Sequence, residues 1–312
     1  MGEISQNAFV SYENERKREI AMDTLNKNRF KWSLILGGSS YLASSYTLYN
    51  SWYKDYPQSS FHLYNDWGEW KNMDKAGHIW SSYVQASAVF KLSRWIGFGH
   101  SKSTLYGVLA GGLFQSTIEV MDGFSSQWGF SIPDFAANVL GLGLFAGQEA
   151  LWRDQKIKLK FSYFPKNYSQ YGDDNFRVVL PNDIYGDNFQ QQVLKDYNAQ
   201  TVWVSGNVHG FNGPSFLPKW LNVAIGVGAE NLFGGYDNSR ALICSETGCA
   251  EPVNVLPRYG QFFLSLDADL SKLHTESPFL NTLLDVLNIL KVPFSTIEIN
   301  TQGEIKFHLI YF

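Results

Sequence analysis

Six polar residues fall into three pairs, and each pair sits in a segment otherwise dominated by apolar or small side chains. Asp74 and His78 lie in Asp74-Lys75-Ala76-Gly77-His78, Glu119 and Asp122 in Glu119-Val120-Met121-Asp122-Gly123, and Asp134 and Asn138 follow Ser131-Ile132-Pro133. Residues three or four apart share one face of a helix, so each segment would present two oxygen or imidazole groups on one stripe. A carboxylate buried without a partner costs several kcal/mol, so these groups are expected to meet one another. Two chemistries would satisfy them. One is a hydrogen-bonded network in which Lys75 or His78 supplies the positive charge; the other is a single divalent metal ion held by His78, Asp74, Glu119, Asp122, Asp134 and Asn138. In the second case His78, Asp74 and Glu119 are also the candidates for general acid or base work, although the Glu-x-x-His pairs of di-iron bundles are absent. Blander roles compete with both. Ser131 with Asp134 reads as a helix cap, His78 as a satisfied buried histidine, and Glu119 with Asp122 as a helix end tied to Lys75.

Three helices must carry these pairs: roughly Met73–Ile96, Ser103–Met121 and Pro133–Trp152, broken at Gly97/Gly99 and over Gly123–Gly129. The last two are rich in Gly and Ala, which lets helix axes approach closely. An uncharged stretch, Trp32 to Tyr53, precedes them. Its serines and Asn50 make it too polar for a lipid span, so it is expected to be a packed helix with one face at a membrane interface, completing a four-helix unit. Beyond Lys156 the period becomes two. Leu221, Val223, Ile225, Val227 and Ala229 alternate with Asn222, Ala224, Gly226, Gly228 and Glu230, and Phe262–Ser271 repeats the pattern with Ser265, Asp267 and Asp269 on its polar side. Alternation alone suits both a sandwich core and a lipid-facing strand. Val202–His209 and Lys306–Phe312 add further strands, and Leu280–Leu290 a helix between Pro278 and Pro293.

The fold class expected is α+β: a charged arm over 1–30, a four-helix bundle over 31–155, and over 156–312 an antiparallel β-sheet, or partial or small β-barrel, packed against it. Five to seven strands are too few for the smallest membrane barrels, which have about eight. Charged residues are 17% of the chain, against roughly 25% in ordinary soluble domains, while aromatics reach 16%. Mean hydropathy is only −0.20, which disfavours a polytopic inner-membrane protein, and the net charge of −4 offers no footprint for nucleic acid. Cys244 and Cys249 flank a short turn that a disulfide could close, with two incidental thiols the equal alternative. The first 30 residues show no secretory leader. Nucleophile elbows, phosphate loops, His-Glu-x-x-His and dinucleotide fingerprints are all absent from the sequence.

The pattern Asp74/Lys75/His78, Glu119/Asp122 and Asp134/Asn138/Gly141 resembles the YfiM-like predicted periplasmic lipoproteins over roughly 60–155, and more distantly the VanZ-like membrane proteins. Met121–Gly129 and Pro218–Asn222 resemble the longer envelope version, in which a β-rich half follows. That resemblance implies a place at the outer membrane or on the periplasmic side of the envelope, and no particular activity. The expectation is a non-enzymatic structural or assembly component of a membrane complex, with lipid and an outer-membrane complex as partners. The alternative is a metal-dependent hydrolase or transferase acting on an envelope lipid or glycan.

Overall fold

A computed structural model describes residues 25–54, 56–168, 177–179, 184–186, 188–239, 242–245, 248–250 and 256–312. Most of the charged arm, residues 1–24, lies outside them. The fold is α+β, as the change of period requires. In chain order the elements are α1 (Lys27–Leu48), β1 (Leu63–Tyr64), α2 (Met73–Ile96), α3 (His100–Gly123), β2 (Phe130–Ser131), α4 (Ile132–Trp152), β3 (Ile157–Tyr163), β4 (Arg177–Val179), α5 (Phe189–Lys195), β5 (Gln200–Asn207), β6 (Leu221–Glu230), β7 (Leu242–Ser245), β8 (Gly248–Ala250), β9 (Tyr259–Ala268), α6 (Pro278–Leu287), β10 (Phe294–Asn300) and β11 (Ile305–Tyr311). Two compact units result: a helical one reaching up to Tyr64 and resuming over Ser81–Leu151, and a second made of Asn65–Trp80 and Trp152–Phe312.

In the helical unit the buried residues of α3 recur at every fourth position: Ser103, Gly107, Gly111, Gln115, Glu119 and Gly123. Small and polar side chains face inward because the neighbouring backbone comes very close. A Cβ on Gly107 would stand 2.5 Å from the Ala86 carbonyl oxygen, and one on Gly111 would stand 3.0 Å from the Leu142 side chain. The outward positions are apolar, with Leu105, Leu109 and Leu113 on α3 and Ile132, Val139 and Leu140 on α4 all exposed. Helix α1 buries none of its residues; instead its Asn26 cap accepts from the Arg29 N–H, and a π-helical turn over Tyr49–Tyr53 extends it. No helix among the described residues is long and apolar enough to cross a membrane.

The second unit is built on a six-stranded antiparallel sheet in the order β11-β10-β9-β6-β5-β3. The order runs between two edge strands rather than closing into a barrel among the described residues. The ladders place Val204, Ile225, Leu264, Ile297 and Phe307 in one row across five strands. All five are exposed, as are Val223, Phe262, Leu266, Ile299 and Ile305 on the same face. The opposite row, Ser205, Ala224, Ser265 and Thr296, is fully enclosed and mostly polar. An antiparallel sheet in water turns its apolar side inward; this one turns an apolar side outward and encloses a mainly polar one, interrupted by an apolar patch of Trp203, Ala224 and Phe263.

The enclosed face is satisfied by pairing. Lys160 Nζ lies 2.8 Å from Asp267 Oδ2 and donates to the Ala268 carbonyl at 2.7 Å. Ser205 Oγ donates to Asp267 at 2.6 Å, Asn222 donates to Ser205 at 2.9 Å, and Asn207 donates to Asn222 at 2.8 Å. Further along, Thr296 donates to Ser265 and Gln261 to Glu298, both at 2.9 Å. A separate small sheet, β4-β7-β8, carries the disulfide between Cys244 and Cys249, which its register sets directly opposite each other.

Since Lys160 and Asp267 are both wholly buried, Lys160→Met should strand an uncompensated carboxylate and cost about 3–5 kcal/mol of stability. Urea denaturation checks this, and the double change Lys160→Met with Asp267→Leu should lose less than the two single losses added together.

Candidate functional site

Asp74, Lys75 and His78 occupy the first turns of α2, in the part that belongs to the second unit. The chain enters this helix through an unusual turn. Gly68 has φ +88°, and Trp70, Lys71 and Asn72 follow with φ of +47°, +52° and +63°. Three consecutive non-glycine residues in the left-handed region carry strain that only surrounding contacts can hold. Here Asn72 Oδ1 accepts from the Gly68 N–H at 2.7 Å, and the Trp70 N–H donates to the Gly235 carbonyl at 2.7 Å. The turn brings Asp66 back onto the helix start. Lys75 Nζ then bridges Asp66 Oδ2 and Asp74 Oδ2, each at 2.7 Å, with all three side chains largely buried.

One lysine cannot neutralise every acid around it. Glu69 is half-buried near the same turn, and its carboxyl is pushed up to about 7, chiefly by burial and then by Asp74 and Asp66, against the opposing pull of Lys75 and Arg258. Asp74 is also raised, again chiefly by burial, with Lys75 acting the other way. A carboxyl with the value of Glu69 exchanges its proton near neutrality, as a general acid or base must. His78 follows one turn after Asp74 and is half-buried.

The remaining candidates lie in the helical unit. Glu119, fully buried on α3, accepts from Asn138 Nδ2 on α4 at 3.3 Å. Asp134 is buried one turn before Asn138, and one of its carboxylate oxygens lies within 4.8 Å of one of Glu119's. Its backbone N–H donates to Ser131 Oγ at 3.0 Å, the capping contact that the Ser131/Asp134 spacing implies. Asp122 is engaged elsewhere: it accepts from the Tyr53 hydroxyl at 2.7 Å. An imidazole–carboxylate pair absent from the sequence reading, His100 Nε2 and Glu149 Oε2 at 3.2 Å, joins the start of α3 to the end of α4.

Residues 64–147, which include all six candidates, match the family model described as predicted periplasmic lipoprotein (DUF2279). The match covers the helical candidates and a minority of the chain, in the region where the sequence resembles periplasmic lipoproteins. No curated protein and no solved structure matched the chain.

Asp66 and Glu69 were missed because they precede the helix, in a turn with no periodic pattern. The buried charges of the sheet left a clearer trace: Lys158 and Lys160 alternate with apolar residues along β3, and Asp267 and Asp269 continue the alternation through the end of β9 and just beyond it. Lys158 Nζ reaches Asp269 at 2.6 Å, and the neighbouring Asp269 carboxyl sits below its ordinary value despite burial because Lys158, Ser271 and Asn288 hold it ionised. Lys291 Nζ lies over the Trp203 ring at 4.9 Å, and burial lowers it to about 8.

The pH response of Glu69 follows directly. The folded carboxyl keeps its proton up to about 7, whereas the unfolded chain releases it near 4.5, so the native state binds more protons between those values. Stability contributed by this group is therefore present at acid pH and lost as the pH rises through that window. Glu69→Gln should flatten the fall in melting temperature between pH 4.5 and 7 and leave the variant more stable than the parent above pH 7. An unchanged melting profile would remove Glu69 from the account.

Proposed function

We propose that this protein is a non-enzymatic, outer-membrane-associated component of the cell envelope, structural or assembly-related in role, whose β-sheet lays its exposed apolar face on lipid. The observation that carries this reading is the reversed polarity of the six-stranded sheet. Its exposed row of Val204, Ile225, Leu264, Ile297 and Phe307 backs onto an enclosed network of Lys160, Asp267, Ser205, Asn222 and Thr296. Water would penalise an apolar face of that extent, while hydrocarbon would not. Strands β6 and β9 are ten residues each, the length of about 9–11 that a tilted membrane strand uses. The matching family, predicted periplasmic lipoproteins, agrees with an envelope address. The narrower likeness to YfiM-like and VanZ-like proteins, and membership of a larger membrane complex, belong to the same proposal.

Flotation of the purified chain with phosphatidylethanolamine and phosphatidylglycerol vesicles tests it. The parent protein should rise with the vesicles, and Ile225→Lys with Leu264→Lys should cut the bound fraction at least tenfold, because a lysine in the lipid face costs about 2–4 kcal/mol near the bilayer centre. A chain that stays with the aqueous fraction as a monomer, without detergent, would overturn the lipid reading. One that stays there only when mixed with envelope extract, in a larger assembly, would replace lipid by a protein partner.

A second reading is favoured by one specific observation, the approach of the buried carboxylates of Glu119 and Asp134 to within 4.8 Å. Two dehydrated anions at that distance repel unless a proton, hydrogen-bond donors, a cationic side chain or a metal ion offsets the charge. A divalent ion there would supply the Lewis acid of the alternative, a metal-dependent hydrolase or transferase. Elemental analysis of protein purified without chelator should then find about one equivalent of metal, lost in Glu119→Gln. No metal, with a melting temperature indifferent to chelator and to added divalent ions, would leave a shared proton or the surrounding hydrogen-bonding side chains as the solution.

A further inference from the structure

At the C-terminal end of α1 a cavity of about 350 Å³ opens inside the helical unit. Tyr49, Tyr53, Tyr56, Pro57 and Phe124 form its walls, and Ser125 its polar edge. The π-helical turn contributes to this geometry. The Lys54 N–H reaches back five residues to the Tyr49 carbonyl at 2.9 Å, and the widened turn supplies both Tyr49 and Tyr53 to one cavity. Such turns are rare and occur disproportionately at functional sites.

The rings are held in place rather than loose. Tyr53 and Tyr56 both meet Trp128 edge-on, with centroids at 5.8 and 5.2 Å, and Phe124 meets Phe61 at 5.3 Å. The Tyr53 hydroxyl donates to Asp122 Oδ1 at 2.7 Å, which fixes the ring and adds electron density to it. The electrostatics point one way. The Asp122 carboxylate, hydrogen-bonded to the Tyr53 hydroxyl, places an acidic group beside this wall. Aromatic faces attract cations, and a carboxylate behind the ring strengthens the attraction. Tyrosine hydroxyls, Gln58 and Ser125 would also serve a neutral sugar, so charge is what separates the two ligands, and the carboxylate held by Tyr53 favours a cation.

We infer that this tyrosine-walled cavity binds an organic ammonium group, with Tyr49, Tyr53 and Tyr56 as the cage and Asp122 as the charge behind it. The shared chemistry is an alkylammonium, carried either by a small soluble amine or by the head group of a zwitterionic lipid.

Calorimetric titration of the full chain with choline, and with its uncharged isostere 3,3-dimethylbutanol, tests the inference. Choline should bind saturably and the isostere at least tenfold more weakly. Tyr56→Ala and Asp122→Asn should each weaken choline about tenfold, while Tyr56→Phe, which keeps the ring, should bind like the parent. Thermal melting identifies any variant that has lost its fold, and Tyr53→Phe, which keeps the ring and removes only the contact to Asp122, then takes its place with a smaller loss expected. A short-chain phosphocholine lipid that binds as tightly as choline assigns the site to a lipid head group; binding of free choline alone assigns it to a soluble amine, and either supports the cage. Equal binding of the uncharged isostere, no saturable binding of choline, or full binding by folded Tyr56→Ala would overturn it.

Discussion

A dehydrated polar group must find a partner, and in this protein that constraint applies to much of the interior. The enclosed side of the sheet sets lysine, aspartate, asparagine, serine and threonine in hydrogen-bonded contacts around an apolar patch of Trp203, Ala224 and Phe263. Stability that most domains draw from apolar burial must here come partly from paired polar groups, each contributing only about 1 kcal/mol net. Close packing of small side chains, as at Gly107 against the Ala86 carbonyl, supplies more. Many leucine, isoleucine and phenylalanine side chains are meanwhile exposed, although others such as Phe145, Leu232 and Phe263 are buried.

The two units apply the same rule with different periods. In α3 a polar or small residue every fourth position makes the inward stripe; in β6 and β9 the inward face is every second residue. Both leave an apolar exterior. That shared organisation supports an envelope setting more strongly than a single exposed patch would, since scattered apolar residues on a surface are ordinary.

Much of this was legible from residue order. The helix at Met73–Ile96 and the strand at Leu221–Glu230 have the limits their patterns suggest, because charged or Gly-rich breaks bound them on both sides. The α+β class follows from the change of period near Lys156. What alternation cannot encode is which face turns inward, since the pattern reads the same in either orientation; the burial of Asn222 and Asp267 beside the exposure of Ile225 and Leu264 decides it. The site divides similarly. Ser131 and Asp134 are local and readable, and so is the Lys75–Asp74 contact. Asp122 turns to Tyr53, which is distant in sequence, and Asp66 reaches Lys75 through a left-handed turn that no propensity rule anticipates. The π-helical widening at Tyr49 likewise leaves no mark in composition.

The central claim is that the apolar face of the sheet contacts hydrocarbon. Spin labels placed singly at positions 225, 264 and 297 in vesicle-bound protein, read by their relaxation with oxygen and with a water-soluble nickel chelate, address it most directly. Strong oxygen and weak nickel access at all three positions, with neither reagent reaching a label at 265, is the result expected. Strong nickel access at 225, 264 and 297 would place that face in water and contradict the account.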